Sequence, residues 1–512
     1  MISIDQTQTS ADRHHDQLGR QGDRPAANLL RCVLWAAAAA AVAVLLWQAG
    51  LAAGLAAAAA ITGAAQLTTL VAPLSRQVGR IEASTLRWAE TTTAQARAAP
   101  RRWRGWRPRS RWWRARRAEL AATFAVCSGL LAPIYLRLAH DPLAQVVTNN
   151  DVYLHIQVAE KMQRWPPEIP HPVFHYLYLA GKPLLGVRWA PLVPVLVATA
   201  MMAAGLVRLG ATSAHGRPAL RGGAVVAFAA VVILTDSPTL LLSASGIIEP
   251  TPVMIPHVWW SPTMLLLFGS SLLLVPFVAE LVAAAAPTSP THDRLRRLGP
   301  IVLALTVFAT LSRPNLTFAL VPGLLIYLVR DRRWDRATLT AAMTWLIVPA
   351  GLVYLWQTSV VLDNYSSMRG LRINPFYEMA QFQMFVRPWF FYLTAVPTVI
   401  AALYARKRFT RDPVVFLTLQ AFWFALALMA LLDDSQVEQN AHGVYVLPFT
   451  SVWLVLWVLT VRFWVGELVA ARRAGPAEAR KFVIILAGTV VWVAAGVVAH
   501  LTAMGVHRFA MI

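Results

Sequence analysis

Asp151 and His155 lie four residues apart in the run Thr148-Asn149-Asn150-Asp151-Val152-Tyr153-Leu154-His155. In a helix that spacing brings a carboxylate and an imidazole to the same face, one turn apart. Either group can take a proton from a hydroxyl, and the other can orient that hydroxyl. Val152, Ile156, Ala159 and Met162 recur at helical spacing just beyond, while Asp151, His155 and Glu160 fall off that stripe. The segment from Val152 to Trp165 therefore reads as an amphipathic helix lying on a surface. Asp151 stands just before its first turn, where an N-cap carboxylate equally belongs.

Cations suited to phosphate are found further along the chain. Arg369, Arg372 and Arg387 share one segment with Asp363 and Glu378 as the acids that face them. A guanidinium matches phosphate oxygens with a fork of donors, although scattered loop charge accounts for the same residues. Arg313, in Leu311-Ser312-Arg313-Pro314-Asn315, stands where two short apolar runs meet. A proline-broken helix pair and a cation at membrane depth point to a lipid-phosphate contact, with a structural ion pair as the alternative.

Polar and aromatic candidates for sugar or acceptor contact complete the set. Glu249, His257, Trp259 and Trp260 lie in a proline-rich loop from Gly246 to Trp260. The tryptophans serve as interfacial anchors or as stacking surfaces for a sugar. Asp433, Asp434, Glu438 and His442 cluster near another apolar run. They are read either as solvated or as ligands for a divalent cation, and His442 also as a sugar contact. His171 and His175 are four apart, but Pro170 and Pro172 argue against a helical zinc pair.

The elements that must carry these residues are membrane helices. The chain has 512 residues, 57% of them hydrophobic and only 14% charged, with mean hydropathy +0.52. That much apolar surface exceeds what a water-soluble core can hide. Continuous rather than alternating apolar runs recur from Leu29 to Met504, and in hydrocarbon such runs satisfy their backbone as helices. The expected fold is an all-α polytopic membrane protein of about thirteen transmembrane helices, each ~20 residues or a broken half-span. After an N-terminal hairpin at residues 29–74, spans are expected at about 119–139, 189–207, 222–236, 258–284, 298–311, 315–329, 338–361, 388–405, 413–432, 443–465 and 481–504.

The net charge of +21 invites a nucleic-acid partner, but the arginines collect in short segments between apolar runs, where the positive-inside rule places them. No nucleic acid is expected. Residues 1–28 read as a disordered cytoplasmic tail. Residues 75–117 carry thirteen Arg against Glu82 and Glu90, interleaved with Trp88, Trp103, Trp106, Trp112 and Trp113. This basic, Trp-rich composition suits an anionic inner headgroup layer, as a topogenic run or a docking surface. Residues 118–512 form the core. An odd span count puts the N-terminus in the cytoplasm and the C-terminus outside, with outer segments at 140–188, 236–257, 312–315, 363–387 and 433–442. Cys32 and Cys127 both lie in apolar runs and are expected to form neither a metal site nor a disulfide. Arg outnumbers Lys and Ala is abundant, as in proteins of GC-rich bacteria, so a bacterial plasma membrane is expected.

An acidic residue just after an early span, at the start of a juxtamembrane amphipathic helix in the first outer loop, resembles the layout of the GT-C fold glycosyltransferases. The resemblance implies a GT-C-like core with extracytoplasmic juxtamembrane helices, and Asp151 as the catalytic base. It also implies a polyprenyl-phosphate- or polyprenyl-diphosphate-linked sugar as donor and an envelope glycan or glycolipid as acceptor, alongside membrane lipids. Asn150-Asp151 stands where many members carry two adjacent acids, which leaves a divalent cation open. The rival readings are a transporter or flippase of envelope lipids or glycans, and a non-catalytic scaffold. Polar groups gathered at the outer ends of spans, rather than at their middles, favour surface chemistry over transport.

Overall fold

The computed structural model describes residues 116–140, 152–162, 169, 171–211, 219–234, 261–285, 292–330, 335–364, 372–373, 375, 398–399, 401–403, 412–433 and 446–475. The chain divides into two compact units, residues 1–118 with 222–227 and residues 119–221 with 228–512. In the first unit Gly222 takes φ 53°, a left-handed turn that glycine adopts without strain, and its carbonyl accepts from Val225 N at 3.1 Å.

The described residues are overwhelmingly helical. In chain order they form α1 (Arg117–His140), α2 (Val152–Lys161), α3 (Val173–Trp189), α4 (Leu192–Ala211), α5 (Gly223–Leu234), α6 (Pro262–Ala285), α7 (His292–Ser312), α8 (Asn315–Arg330) and α9 (Arg336–Ala342). A π-helical turn, Met343–Ile347, joins α9 to α10 (Val348–Asn364), and α11 (Pro413–Leu431) and α12 (Val446–Ala474) follow. A two-residue antiparallel ladder pairs β1 (Arg372–Ile373) with β2 (Leu432–Asp433). Seven helices among the described residues are long and apolar enough to cross a membrane, and α5 and α8 are shorter apolar helices. The chain is thus an all-α membrane protein, and these helices fall on the apolar runs of the sequence.

In the second unit, α6 is the centre. Its apolar residues run all round the helix, and almost every one is buried, the pattern of a helix enclosed by others rather than by lipid. It packs chiefly on α4 and α7, and also meets α9, α11 and α12. Small residues let α4 and α6 approach closely: a Cβ on Gly269 would stand 2.6 Å from the Ala198 carbonyl oxygen, and one on Gly205 2.6 Å from Leu272 Cβ. The same device joins α8 to α11, where a Cβ on Gly323 would meet Ala421 N at 2.5 Å. In the π-turn, Trp345 lies on Gly299 of α7.

Charged pairs tie the helices at the end of the bundle where α4 and α6 terminate. Arg208 donates to Glu280 and lies 3.8 Å above the centre of the Phe277 ring. Arg462 on α12 donates from Nε to the Leu209 carbonyl and stands 3.7 Å from Asp412. Asp412 also caps α11, its Oδ1 accepting from Val414 N at 2.9 Å.

Candidate functional site

The opposite end of the second unit carries the candidate site. Helix α2 buries Val152, Ile156 and Ala159, the stripe expected from the sequence, and packs against α3. Helix α3 begins after Pro172, whose fixed φ suits a helix start, and bends at Gly186, which takes φ 72°. Beyond the bend, Ala190 N returns to the Gly186 carbonyl at 3.0 Å and the chain enters α4. His140, the last residue of α1, hydrogen-bonds through Nε2 with the Arg188 carbonyl at 2.8 Å, so the end of α1 is fastened to this bend. Tyr135 on α1 donates to the Ser261 carbonyl at 3.2 Å, and Ser128 meets Thr199 of α4 at 3.0 Å.

Two polar links join α2 to α3. At one, Glu160 accepts from Tyr178 at 2.5 Å and from Lys182. The hydrogen bond from Lys182, then that from Tyr178, holds the Glu160 carboxyl below its usual range. Burial, followed by the neighbouring carboxylate, pushes the Tyr178 phenol up. Glu160 is therefore ionised and Tyr178 is a fixed donor at neutral pH. At the other link, His155 Nδ1 lies 3.1 Å from His175 Nε2, and His175 Nδ1 lies 3.1 Å from the His171 carbonyl oxygen. His175 is wholly buried and His155 half-buried. Phe174 stands edge-on to both rings, with centroids 5.8 and 5.7 Å away.

A cleft of about 370 Å³ opens between the end of α1, α2 and α3, lined by Ala139, His140, Tyr153, Ile156, Gln157, Glu160, Lys161 and Val187. Its volume is at the lower end of the ~300–1,000 Å³ typical of ligand pockets. Hydroxyl, amide, carboxylate, ammonium and imidazole groups line it beside apolar ones, a mixture able to match the hydroxyls and ring faces of a sugar.

Of the expected site residues, His155 is on α2, turned toward α3. Arg313 is half-buried between α7 and α8, its N–H still donating to the Ala309 carbonyl at 2.9 Å. The break around it is held by a polar seam. Gln357 Nε2 on α10 donates to the Thr310 carbonyl at 2.8 Å, Thr310 Oγ1 to the Thr306 carbonyl at 2.7 Å, and Thr317 Oγ1 to the Pro314 carbonyl at 2.9 Å. Arg372 enters the ladder paired with Asp433, which joins two of the expected outer segments through their backbones. Asp151, Glu249, His257, Trp259, Arg369, Arg387 and His442 lie outside the described residues, as does Cys32. Cys127 is buried and not in a disulfide. Among the described residues no group of three or more His, Cys, Asp or Glu is placed to hold a metal ion.

No family model, no curated protein and no solved structure matches the chain.

The arrangement therefore speaks through its own chemistry. An ionised carboxylate and a hydrogen-bonded pair of imidazoles tie α2 to α3, and a polar cleft opens beside them at the end of α1. His175, Tyr178 and Lys182 were not expected at the site. Their signal was present in the spacing of Phe174, His175, Tyr178 and Gly181, each buried on α3, but Gly181, Pro183 and Gly186 obscured the helix.

Proposed function

We propose that this protein is a GT-C-like membrane glycosyltransferase of a bacterial plasma membrane, acting at the outer face. It would move a sugar from a polyprenyl-phosphate- or polyprenyl-diphosphate-linked donor to an envelope glycan or glycolipid. The observation that carries the reading is the surface helix α2, which follows the end of α1 in the chain and lines a polar cleft with it. Its first residue comes directly after Asp151.

In this reading the acceptor enters from water and the donor from lipid, meeting at the cleft. Asp151 takes the proton of the attacking hydroxyl, with His155 one turn further along. Arg313, Arg369, Arg372 and Arg387 are the candidates to hold the donor phosphate, whose negative charge grows as the bond to the sugar breaks. Glu249, His257, Trp259 and His442 are the candidates for sugar or acceptor contact. A divalent cation between donor phosphate and protein is compatible with this scheme.

The test uses the purified full-length chain in lipid nanodiscs, supplied with polyprenyl-phosphate sugars and glycolipid acceptors, and measures transfer by mass spectrometry. Transfer is expected, and Asp151→Asn should reduce it about 10²- to 10⁴-fold with donor affinity unchanged, the usual share of a general base. Movement of intact donor across the bilayer with no sugar transferred would replace the reading by that of a flippase.

A further inference from the structure

Helix α3 changes character half-way along. Up to Gly181 it packs as a helix on a protein surface does, with Phe174, His175, Tyr178 and Gly181 buried. From Pro183 to Trp189 every residue is exposed, and four of them are large and apolar: Leu184, 82% open, with Leu185, Val187 and Trp189. A helix resting on protein covers one face, whereas residues at these four positions point in several directions around an axis, and all are open. An apolar cluster of this density marks a contact surface rather than a face turned to water.

The chain beyond it names the partner. Ala190 N returns to the Gly186 carbonyl at 3.0 Å and Val193 N to the Ala190 carbonyl at 3.1 Å, compact turns that lead directly into α4, a helix able to cross a membrane. At helical rise Val187 lies about 8 Å before Leu192, comparable with the depth of one headgroup layer. The apolar exposure continues onto α4 at Leu196. The Arg188 guanidinium stands 5.4 Å above the centre of the Trp189 ring, and indole and long-stemmed cations both favour the interface between lipid and water. His140 holds the Arg188 carbonyl and so keeps this bend beside the end of α1. Val187 also lines the cleft, whose α2 side carries Gln157, Glu160 and Lys161.

We propose that the cleft straddles the membrane boundary: the α3 bend from Leu184 to Trp189 is embedded in the leaflet at which α1 ends, and the facing wall on α2 stands in water. The ligand that fits two such walls is an amphiphile, with its polar head beside Gln157, Glu160 and Lys161 and its chain over Val187 and Leu184. The membrane contact goes beyond the transfer chemistry, and naming the amphiphile as the sugar donor rests on the glycosyltransferase reading.

Spin-label relaxation reads the two solvents with no substrate present. The full-length chain with Cys32 replaced by serine retains only the buried Cys127. Leu184→Cys, Val187→Cys and Gln157→Cys, each at an open position, are made in that background, labelled with a nitroxide and placed in phospholipid nanodiscs. Oxygen, which concentrates in hydrocarbon, should relax the labels at 184 and 187 more strongly than a water-soluble nickel chelate does, and the order should reverse at 157. Nickel-dominated relaxation at 184 and 187 would put the bend in water. Shielding of those labels from both reagents would put it against protein, either another part of this chain or a second copy. Each of these results overturns the proposal, as does an oxygen-dominated label at 157. The expected pattern in a protein that transfers no sugar would retain the straddling cleft and remove the sugar donor as its ligand.

Discussion

Glu160 serves two donors from different turns of α3, and its ionisation is what holds them. Lys182 keeps the carboxyl below its ordinary value of 4.5. A carboxylate depressed in the fold stabilises above the unfolded value, and that contribution is lost as pH falls through the folded one. The tie between α2 and α3 should therefore be at full strength from pH 4.5 upward and fade in more acidic solution. Glu160→Gln should remove this dependence and speed amide exchange across Val152–Lys161 by roughly fivefold at neutral pH, about 1 kcal/mol for a partly exposed pair. Hydrogen-exchange mass spectrometry of both proteins checks the size and the pH trend, and equal exchange at neutral pH would show the pair to be ornamental. At this scale the sequence was half-legible. The burial of Val152, Ile156 and Ala159 could be read from their spacing, because one helix determines it. The partners of His155 and Glu160 could not, because they lie 20 and 18 to 22 residues away on a helix that two glycines and a proline disguised.

Among the elements, the break between α7 and α8 was legible. Arg313-Pro314 interrupts two apolar runs, and the helices end at Ser312 and begin again at Asn315. What the runs did not reveal was the packing, since an apolar surface looks the same whether it meets lipid or protein. Gly323 is a case in point: only the fold shows that α11 passes against it. Gly323→Leu should destabilise the protein by about 1–3 kcal/mol or more, because the opposing atoms are backbone and cannot turn aside. Gly351→Leu on α10, where a Cβ meets nothing within 4 Å, is the matched control and should leave stability near that of the parent. Thermal unfolding in detergent compares the two, and equal losses would mean that α8 and α11 are not in such close contact. Asp412 offers a second comparison. Asp412→Asn keeps a capping oxygen for Val414 but loses the charge facing Arg462, whereas Asp412→Ala loses both. The alanine variant should be the weaker by about 1 kcal/mol, the usual worth of a cap, on the same thermal assay.

For the molecule as a whole, the distribution of arginine predicts orientation. A reporter placed between Arg97 and Arg111 should be cytoplasmic, and one fused after Ile512 extracytoplasmic. Alkaline phosphatase and fluorescent-protein fusions read the two sides, and a cytoplasmic C-terminal reporter would mean an even number of spans and weaken the outer-face assignment of the site. The enclosure of α6 also bears on how the chain is made. Its neighbours α11 and α12 begin at Pro413 and Val446, whereas α6 ends at Ala285, so the ribosome delivers two of its walls more than a hundred residues after the helix they cover. During that interval the corresponding flanks of α6 rest against lipid or an insertion chaperone. Nascent chains arrested before Pro413 should therefore be substrates for membrane quality control, even though every helix around the cleft has already been synthesised.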